Sequence, residues 1–577
     1  MNKELDIPAY NRALDWLRSS IDESDKLTIK NWIDREPENL NESFYKDLEF
    51  GTGGIRGLMR LGSNGVNKYT LGLATQGLAN YLNHKLNKKP KVVVAYDSRN
   101  NSKTFAEEVS KVFKANNIDV FLFSDLRPTP QLSYAVRHLS CNAGIVITAS
   151  HNPKEYNGYK VYWSDGGQLV PPHDQEILTR VKKLKVSDIR WTKGRGEIHY
   201  LGQEIDESYL KEVEKLSLNP VSNSNLKLVF TSLHGTAITL LPEALKRFGF
   251  KNIHILESQA APNGDFPTIE SPNPEEAEAL DLALQKAQEI NADIVIGCDP
   301  DSDRVGIAVR DDKNQLILLN GNQTAAVLFD YILNQKRITN SLPKNGFVAS
   351  TVVTSNLLEN IAKSYSISAY QTLTGFKWIA ELINKLEGEK EFIIGGEESY
   401  GYLIGSFVRD KDAISASTLL AEAASWYLDQ GSSFYNQLMN IYAVHGTHED
   451  SLFSVIKKGK KGAQEIQEIM TRLRQNPPKK IGTYYVDEIS DFQIGKCTNI
   501  ISGTKKLINL PTSNVLQFTL KNRDRITVRP SGTEPKIKYY FNTKGASINL
   551  TEDNSYEVIR AELKQRIELY KSIVANF

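Results

Sequence analysis

Short apolar runs alternate with amphipathic stretches along most of this chain. Val92-Val93-Val94-Ala95-Tyr96 reads as a buried strand, and behind it Phe105, Val109, Val112 and Phe113 recur at helical spacing after Ser102, the expected N-cap. Strands are predicted at Ile118 to Phe123 and at Ala143 to Ile147. The rhythm returns with a strand at Leu226 to Phe230, a helix over Glu275 to Ile290 and a strand at Asp293 to Ile296. It comes once more as a strand around Phe347 to Val353, a helix near Ser355 to Lys363 and a strand at Phe392-Ile393-Ile394. Strands interleaved with helices predict α/β layers with mixed, largely parallel sheets. In such sheets ligands sit beyond the carboxyl ends of the strands. After about residue 450 the pattern changes. A helix is expected over Gly462 to Leu473, then the breaker Asn476-Pro477-Pro478. Short polar–apolar alternations such as Val515 to Leu520 and Arg525 to Val528 follow, and a last helix over Asn554 to Val574. That predicts a smaller C-terminal α+β domain after three α/β units.

Length and composition narrow the class. The chain has 577 residues, and at roughly 100–200 residues per domain three to five domains are expected. Lys+Arg is 70 against 69 Asp+Glu, a formal net charge of +1, so a nucleic-acid partner is disfavoured. The one basic cluster, Lys457-Lys458-Gly459-Lys460-Lys461, reads as a solvated helix or loop end. Cys141, Cys298 and Cys497 are far apart and odd in number, which suits neither a disulfide framework nor a zinc site. The start, MNKELDIPAY, has no apolar core of signal-peptide type. No apolar stretch reaches the ~18 residues of a membrane span. A cytoplasmic protein with no membrane partner is expected, as a monomer or weak homo-oligomer.

The candidate chemistry lies in polar loops at strand ends. Asp299, Asp301 and Asp303 alternate in GCDPDSDRVG, directly after Ile294-Val295-Ile296. Carboxylates at every second residue can turn several oxygens toward one hard cation of the Mg²⁺ type; most acidic turns, however, are simply solvated. A second loop, TASHNP, holds Ser150 and His151 after Ile145-Val146-Ile147, with Lys160 downstream in NGYK. A serine there can be a nucleophile, although caps and turns are its commoner use. GGEESYG, carrying Glu397 and Ser399, offers donors and acceptors suited to a polyol, or else a solvated glycine turn. RPSGTEPK carries Arg529, Ser531, Gly532 and Thr533, a combination able to cradle a phosphate without being a Walker loop. FGTGGIRG around Arg56 and TGFK at Thr374, Gly375 and Lys377 are weaker strings of the same kind.

Together and in this order, TASHNP with NGYK, GCDPDSDRVG, GGEESYG and RPSGTEPK resemble the four signature loops of the α-D-phosphohexomutases. FGTGGIRG, SLHGT (Ser232 to Thr236), TGFK and RDKDA (Arg409 to Ala413) are similar to further strings of that family. PNPEE at Pro272 to Glu276 resembles the branch holding phosphoglucomutase-2, phosphopentomutase and their bacterial relatives. The resemblance spans roughly residues 45 to 540. It implies four domains around a central active-site cleft, with boundaries expected at 1–205 (phosphoserine loop), 206–322 (metal loop), 323–448 (sugar loop) and 449–577 (phosphate loop). It implies Ser150 as the phosphorylated serine and Mg²⁺ held by Asp299, Asp301, Asp303 and a phosphoserine oxygen. Arg56, His151, Lys160 and Arg304 match family residues near the phosphoserine. Glu397 and Ser399 would bind sugar hydroxyls. Arg529, Ser531, Gly532 and Thr533 would grip the phosphate that is not reacting, and Thr374, Gly375, Lys377 and Lys411 would also meet substrate.

The activity implied is transfer of a phosphoryl group between the 1 and 6 positions of a hexose, glucose first. It would run through a phosphoserine and glucose 1,6-bisphosphate, which also serves as activator. The bisphosphate must turn around between its two encounters with Ser150, and a fourth domain that opens and closes would allow this. His151 and Lys160 are both open as general base or acid. Mannose or pentose phosphates, a sugar-bisphosphate synthase, and a catalytically silent sugar-phosphate sensor are the alternatives. One spatial condition underlies all of this: the aspartate loop must lie against the Ser150 hydroxyl.

Overall fold

The run Ala143-Gly144-Ile145-Val146-Ile147 is buried throughout in the computed structural model, as a strand covered on both faces must be. It is the centre of the first sheet. That sheet comprises β1 (Gly54–Leu58), β2 (Lys91–Tyr96), β3 (Asp119–Phe123), β4 (Ala143–Ile147), β5 (Tyr156–Trp163) and β6 (Ile198–Leu201), in the order β1-β5-β4-β2-β3-β6. The β2–β3, β2–β4 and β3–β6 pairs are parallel, whereas β5 runs antiparallel to both β4 and β1. Helices Lys68–Lys85, Ser102–Ala115 and Thr129–His138 contribute to its covering layers. The structure describes residues 6–48, 51, 54–220, 225–457, 459–531, 536–552 and 554–577.

A second sheet holds β7 (Leu228–Thr231), β8 (Ile253–Ile255), β9 (Ile294–Cys298) and β10 (Val305–Arg310), ordered β10-β9-β7-β8 with β7 parallel to β8 and β9. The first sheet and strands β7, β8 and β9 belong to one compact unit, formed by Met1–Ala308, Ala380–Lys385 and Gly401–Ser425. Its N-terminal part carries three helices, Ile7–Leu17, Glu23–Arg35 and Pro37–Phe44, which the hydrophobic pattern does not announce. Their apolar faces meet Tyr69, Val112, Val186 and Ile189 in a separate cluster.

The other compact unit comprises Val309–Ile379, Leu386–Tyr400 and Trp426–Phe577. In it Gly346–Thr351 pairs in parallel with Ser368–Thr372 and with Glu391–Glu397. Its C-terminal sheet is antiparallel: strands His448–Ile456, Lys536–Lys544, Arg525–Pro530, Leu516–Leu520 and Tyr484–Asp491 lie side by side in that order. Helices Gly459–Gln475 and Ser555–Val574 bury Ile466, Met470, Leu473, Ile567 and Tyr570 against it. Three α/β layers followed by a β-rich C-terminal domain match the expected class. Ser102 departs from its expectation: Asn101, at φ +64°, precedes the helix, and Ser102 is its first residue, donating its hydroxyl to Asp97 Oδ1 at 2.7 Å. Among the described residues no helix is long and apolar enough to cross a membrane.

Candidate active site

β4 ends in Thr148-Ala149-Ser150, and the chain turns sharply there. Ser150 takes φ +54°, a left-handed conformation that a non-glycine residue holds only when its surroundings fix it. Two groups do so. Thr148 Oγ1 accepts from the Ser150 backbone N–H at 2.8 Å. Arg99, from the loop after β2, donates to the main-chain oxygens of Ser150 (2.6 Å), Pro153 (2.8 Å) and Tyr156 (3.1 Å), and also to that of Asn152. The Arg99 side chain is fully buried beside Asp97, Nε to Oδ2 3.4 Å, with the Phe266 ring 5.1 Å from its guanidinium. Arg99→Lys keeps the charge but replaces a fork that reaches four carbonyls with a single ammonium. We expect a lower melting temperature, by about 1–3 kcal/mol of stability, and slower phosphoryl transfer to Ser150, read by thermal unfolding and single-turnover phosphorylation.

At the end of β9, in the same unit, the aspartate loop folds under this serine. Ser150 Oγ donates to Asp299 Oδ2 at 2.7 Å, and His151 Nδ1 stands 3.2 Å from the same hydroxyl. Asp299, Asp301 and Asp303 are all buried, and one ligand oxygen from each falls within 4.8 Å of the others. Each carboxylate is aimed by its other oxygen. Asp299 Oδ1 accepts the backbone N–H groups of Asp303 and Arg304, both at 3.0 Å. Asp301 Oδ2 accepts Thr129 Oγ1 (2.8 Å) and Lys160 Nζ (2.6 Å). Asp303 Oδ2 accepts Lys160 Nζ (2.9 Å) and lies 3.3 Å from Lys411 Nζ. Asp301 Oδ1 and Asp303 Oδ1 are left buried with no hydrogen-bond partner among the described residues. Buried orphan oxygens are costly unless something else meets them. Three hard oxygen donors converging on one point fit Mg²⁺.

The SLHGT turn braces this loop from behind. A Cβ on Gly235 would stand 2.4 Å from Pro300 Cα, so only glycine allows the approach. The Thr236 N–H and Oγ1 both donate to Pro300 O, at 2.8 and 2.9 Å.

Charge around the centre is strongly coupled. Burial, together with the neighbouring Asp301 and Asp303, pushes the Asp299 carboxyl well above the usual carboxylate range. Burial alone would raise Asp303 too, yet Lys160, Lys411 and Arg304 hold it far below that range. Burial works against charge on Lys160, but Asp301 and Asp303 outweigh it and keep the ammonium firmly protonated. His151 is pushed well below its ordinary value by burial and then by the Arg304 and Arg56 cations, so its ring is neutral.

The remaining expected residues divide between the two units. Arg56 lies on β1, where the β1–β5 register sets it opposite Gly158 and sets Gly54 opposite Lys160. Its Nη1 donates to Asn152 Oδ1 at 3.1 Å. Arg304 pairs with Glu275 of the PNPEE string. Lys411 stands at the carboxylate cluster, 3.4 Å from Asp410 Oδ1 as well as near Asp303. In the other unit, Glu397 ends the strand Glu391–Glu397 and accepts the Gly375 N–H on Oε1 at 2.8 Å, which joins TGFK to GGEESYG. Gly375 takes φ +110° there. The Thr374 hydroxyl is buried with no hydrogen-bond partner among the described residues, and Lys377 Nζ lies 5.0 Å over the Trp378 ring. Ser399 is half-buried in the turn after that strand. Arg529 lies near the end of the strand Arg525–Pro530, and its charge opposes the rise that burial and Glu398 impose on the Tyr540 phenol. Ser531 N donates to Lys536 O at 2.7 Å, while Gly532 and Thr533 lie outside the described residues. Sequence reasoning misses Asp97, Arg99 and Thr129. The signal available was Asp97-Ser98-Arg99 at the carboxyl end of β2, where the same strand-end rule applies.

The chain as a whole is similar to curated phosphoglucomutases. A phosphoglucomutase of Staphylococcus epidermidis is 39% identical over 529 residues, covering 88% of this chain and 95% of that protein. The chain belongs to the phosphoglucomutase/phosphomannomutase family. Membership makes it an isomerase of hexose phosphates. Three family models match in chain order: α/β/α domain I over residues 47–187, domain II over 207–313 and domain III over 320–442. A phosphoglucomutase of Staphylococcus aureus is 38% identical, covering 89% of this chain and 95% of its own. The fold extends to the open form of pp63/parafusin, a phosphoglucomutase from Paramecium (20% identity, TM-score 0.66, 91% of this chain and 95% of that one). It extends also to a phosphoglucomutase/phosphomannomutase family protein from Burkholderia thailandensis (17% identity, TM-score 0.64, 90% and 97%).

Proposed function

We propose that this family member interconverts glucose 1-phosphate and glucose 6-phosphate by way of a phosphoserine at Ser150 and glucose 1,6-bisphosphate. The observation that carries the proposal is the 2.7 Å contact between the Ser150 hydroxyl and a buried triad of carboxylates. Nothing in ordinary folding favours three crowded carboxylates around a serine; handling a phosphate beside a divalent cation does. Asp299, Asp301 and Asp303 would hold Mg²⁺, which supplies charge neutralisation to a serine-bound phosphate.

The chain's own residues do the rest. A hydroxyl of the sugar attacks phosphorus on phosphorylated Ser150, the bond from Oγ to phosphorus breaks, and the proton given up by the sugar hydroxyl ends on the departing Ser150 Oγ, which leaves as a free hydroxyl. Lys160, Arg56 and Arg304 offset negative charge on the transferring group. Glu397 and Ser399 orient sugar hydroxyls, with Thr374, Gly375, Lys377 and Lys411 as further contacts. Arg529 and Ser531, with Gly532 and Thr533, hold the distal phosphate through charge-assisted hydrogen bonds. After the bisphosphate turns around, its other phosphoryl group returns to Ser150 and the isomer leaves.

A coupled assay on glucose, mannose and ribose phosphates, each primed with the matching bisphosphate, tests the reading. Glucose 1-phosphate should give the highest kcat/KM, with product accumulating rather than the bisphosphate. A leading rate on ribose phosphate would move the substrate to a pentose. Release of bisphosphate without isomerisation would make the protein a bisphosphate synthase, and no turnover on any of the three would reject the mutase.

A further inference from the structure

Residues 401–425 fall within the domain III family match, yet they belong to the compact unit that holds the serine and aspartate loops. The segment Arg409 to Ala413 is tied into that unit residue by residue. The Arg409 N–H donates to Ser133 Oγ at 2.9 Å, and its Nε donates to Asn384 Oδ1 at 2.8 Å. Asp412 accepts the Tyr209 hydroxyl on both carboxylate oxygens, at 2.7 and 2.8 Å. The Ala413 N–H donates to Ser302 O, inside the aspartate loop, at 3.1 Å. Between these anchors stand Asp410 and Lys411, both buried.

Asp410 divides its two oxygens between two tasks. Oδ2 accepts from the Tyr162 hydroxyl at 2.6 Å and from Gln168 Nε2 at 2.8 Å. Tyr162 lies on β5, which also carries Lys160, and pairs with Gln168 across the following turn. Burial, and then Asp410, push the Tyr162 phenol well above its ordinary value, so it stays protonated and donates. Oδ1 accepts the Lys411 N–H at 2.8 Å and lies 3.4 Å from Lys411 Nζ. That ammonium stands 3.3 Å from Asp303 Oδ2, the oxygen that also accepts from Lys160. The stem of Lys411 is placed by a different residue. Gly401, the last of the GGEESYG string, opens the strand Gly401–Ile404. A Cβ on Gly401 would stand 2.0 Å from Lys411 Cδ and 2.8 Å from its Cγ. The aliphatic stem therefore lies directly on the backbone at 401, and this close approach calls for glycine there.

We propose that Asp410 and Gly401 are positioning residues for the mutase reaction: Asp410 holds the Lys411 ammonium from one side, and Gly401 lets the stem lie flat, so that the charge stands beside Asp303 before substrate arrives. A lysine has a long flexible stem, and keeping its ammonium at one point costs conformational entropy. The two contacts meet that cost during folding instead of during the reaction. Both ammoniums on Asp303 Oδ2 are referred to one strand, Lys160 directly and Lys411 through Tyr162 and Asp410. Charge placed in advance needs no rearrangement as a phosphoryl group moves. The inference rests on the mutase reading.

The test is a pair of double-mutant cycles in the full-length enzyme. Lys411→Ala removes both ammonium and stem and should lower kcat/KM for glucose 1-phosphate about 100-fold, the scale of one lost preplaced charge. Asp410→Asn keeps an acceptor without the charge, and Gly401→Ala crowds the stem; each should lower kcat/KM about tenfold. In the Lys411→Ala background neither should lower it further. A wild-type value in either single variant, or losses that multiply with that of Lys411→Ala, overturns the inference. The melting temperature gives a second readout that needs no turnover. Gly401→Ala should lower it in the wild type but not beside Lys411→Ala, where the added methyl group no longer meets the stem. A drop of equal size in both backgrounds also overturns the inference. If one of the two variants fails to fold by circular dichroism, the other decides. A wild type inactive on every sugar phosphate rejects the mutase reading instead, and the thermal cycle then decides by itself whether Gly401 seats Lys411.

Discussion

Ser150→Ala is expected to lower mutase turnover by on the order of 10⁴-fold or more, the range seen when a covalent nucleophile is removed. Any phosphate carried by the purified protein should disappear with it, read by intact mass. No neighbour can take over. Two hydroxyls close by are committed elsewhere: Thr148 Oγ1 accepts from the residue-150 N–H, and Thr129 Oγ1 donates to Asp301 Oδ2. The contact to the carboxylate cluster is made by the Ser150 hydroxyl, on Asp299 Oδ2, with the neutral His151 ring beside that hydroxyl. The variant should fold normally, because the loop's shape is set by Arg99 and by main-chain contacts rather than by the hydroxyl. Full turnover in Ser150→Ala would remove the phosphoserine from the mechanism.

The second large effect is expected at Asp301. Asp301→Asn keeps size and shape, and a carboxamide oxygen can still accept from Thr129. What changes is charge: one of the three carboxylates is lost, and of its two ion-pair partners among the described residues Lys160 keeps Asp303. We expect kcat/KM to fall about 10³-fold, in line with other single electrostatic components of phosphoryl-transfer sites. The Mg²⁺ concentration for half-maximal rate should rise at the same time, and a metal titration of the rate reads both. An unchanged titration midpoint would exclude Asp301 as a ligand. Circular dichroism should match the wild type.

The elements that the chain announces plainly are those buried on both faces. Ala143–Ile147 and Ile294–Cys298 have no exposed position, so their apolar runs are continuous and their ends abrupt. The polar loops that follow stand out for the same reason, which is why the serine and aspartate loops are legible before any coordinates. The N-terminal helices are not. Glu23–Arg35 buries only Ile29, too little to give a readable stripe. Arg99 escapes for a different reason. A single arginine after a strand looks solvated until the folded chain brings Ser150, Asn152, Pro153 and Tyr156 around it from more than fifty residues away. Lys411 shows the same limit: its string suggests a substrate contact, whereas its position beside Asp303 depends on packing between distant segments.

The helices that precede the family-matched region have one more consequence. Trp16 meets both Phe44 and Tyr69 edge-on at 5.4 Å, and the Tyr69 hydroxyl donates to Asp25 while accepting from the Asp22 N–H. A version of the protein starting at residue 47, where the domain I family match begins, would strip this cap and leave Tyr69, Val112, Val186 and Ile189 facing water. Uncovering each such side chain costs about 1.5–3 kcal/mol, a sum comparable with the whole stability of a typical domain. The start of the matched domain and the folding boundary of this polypeptide are therefore different places.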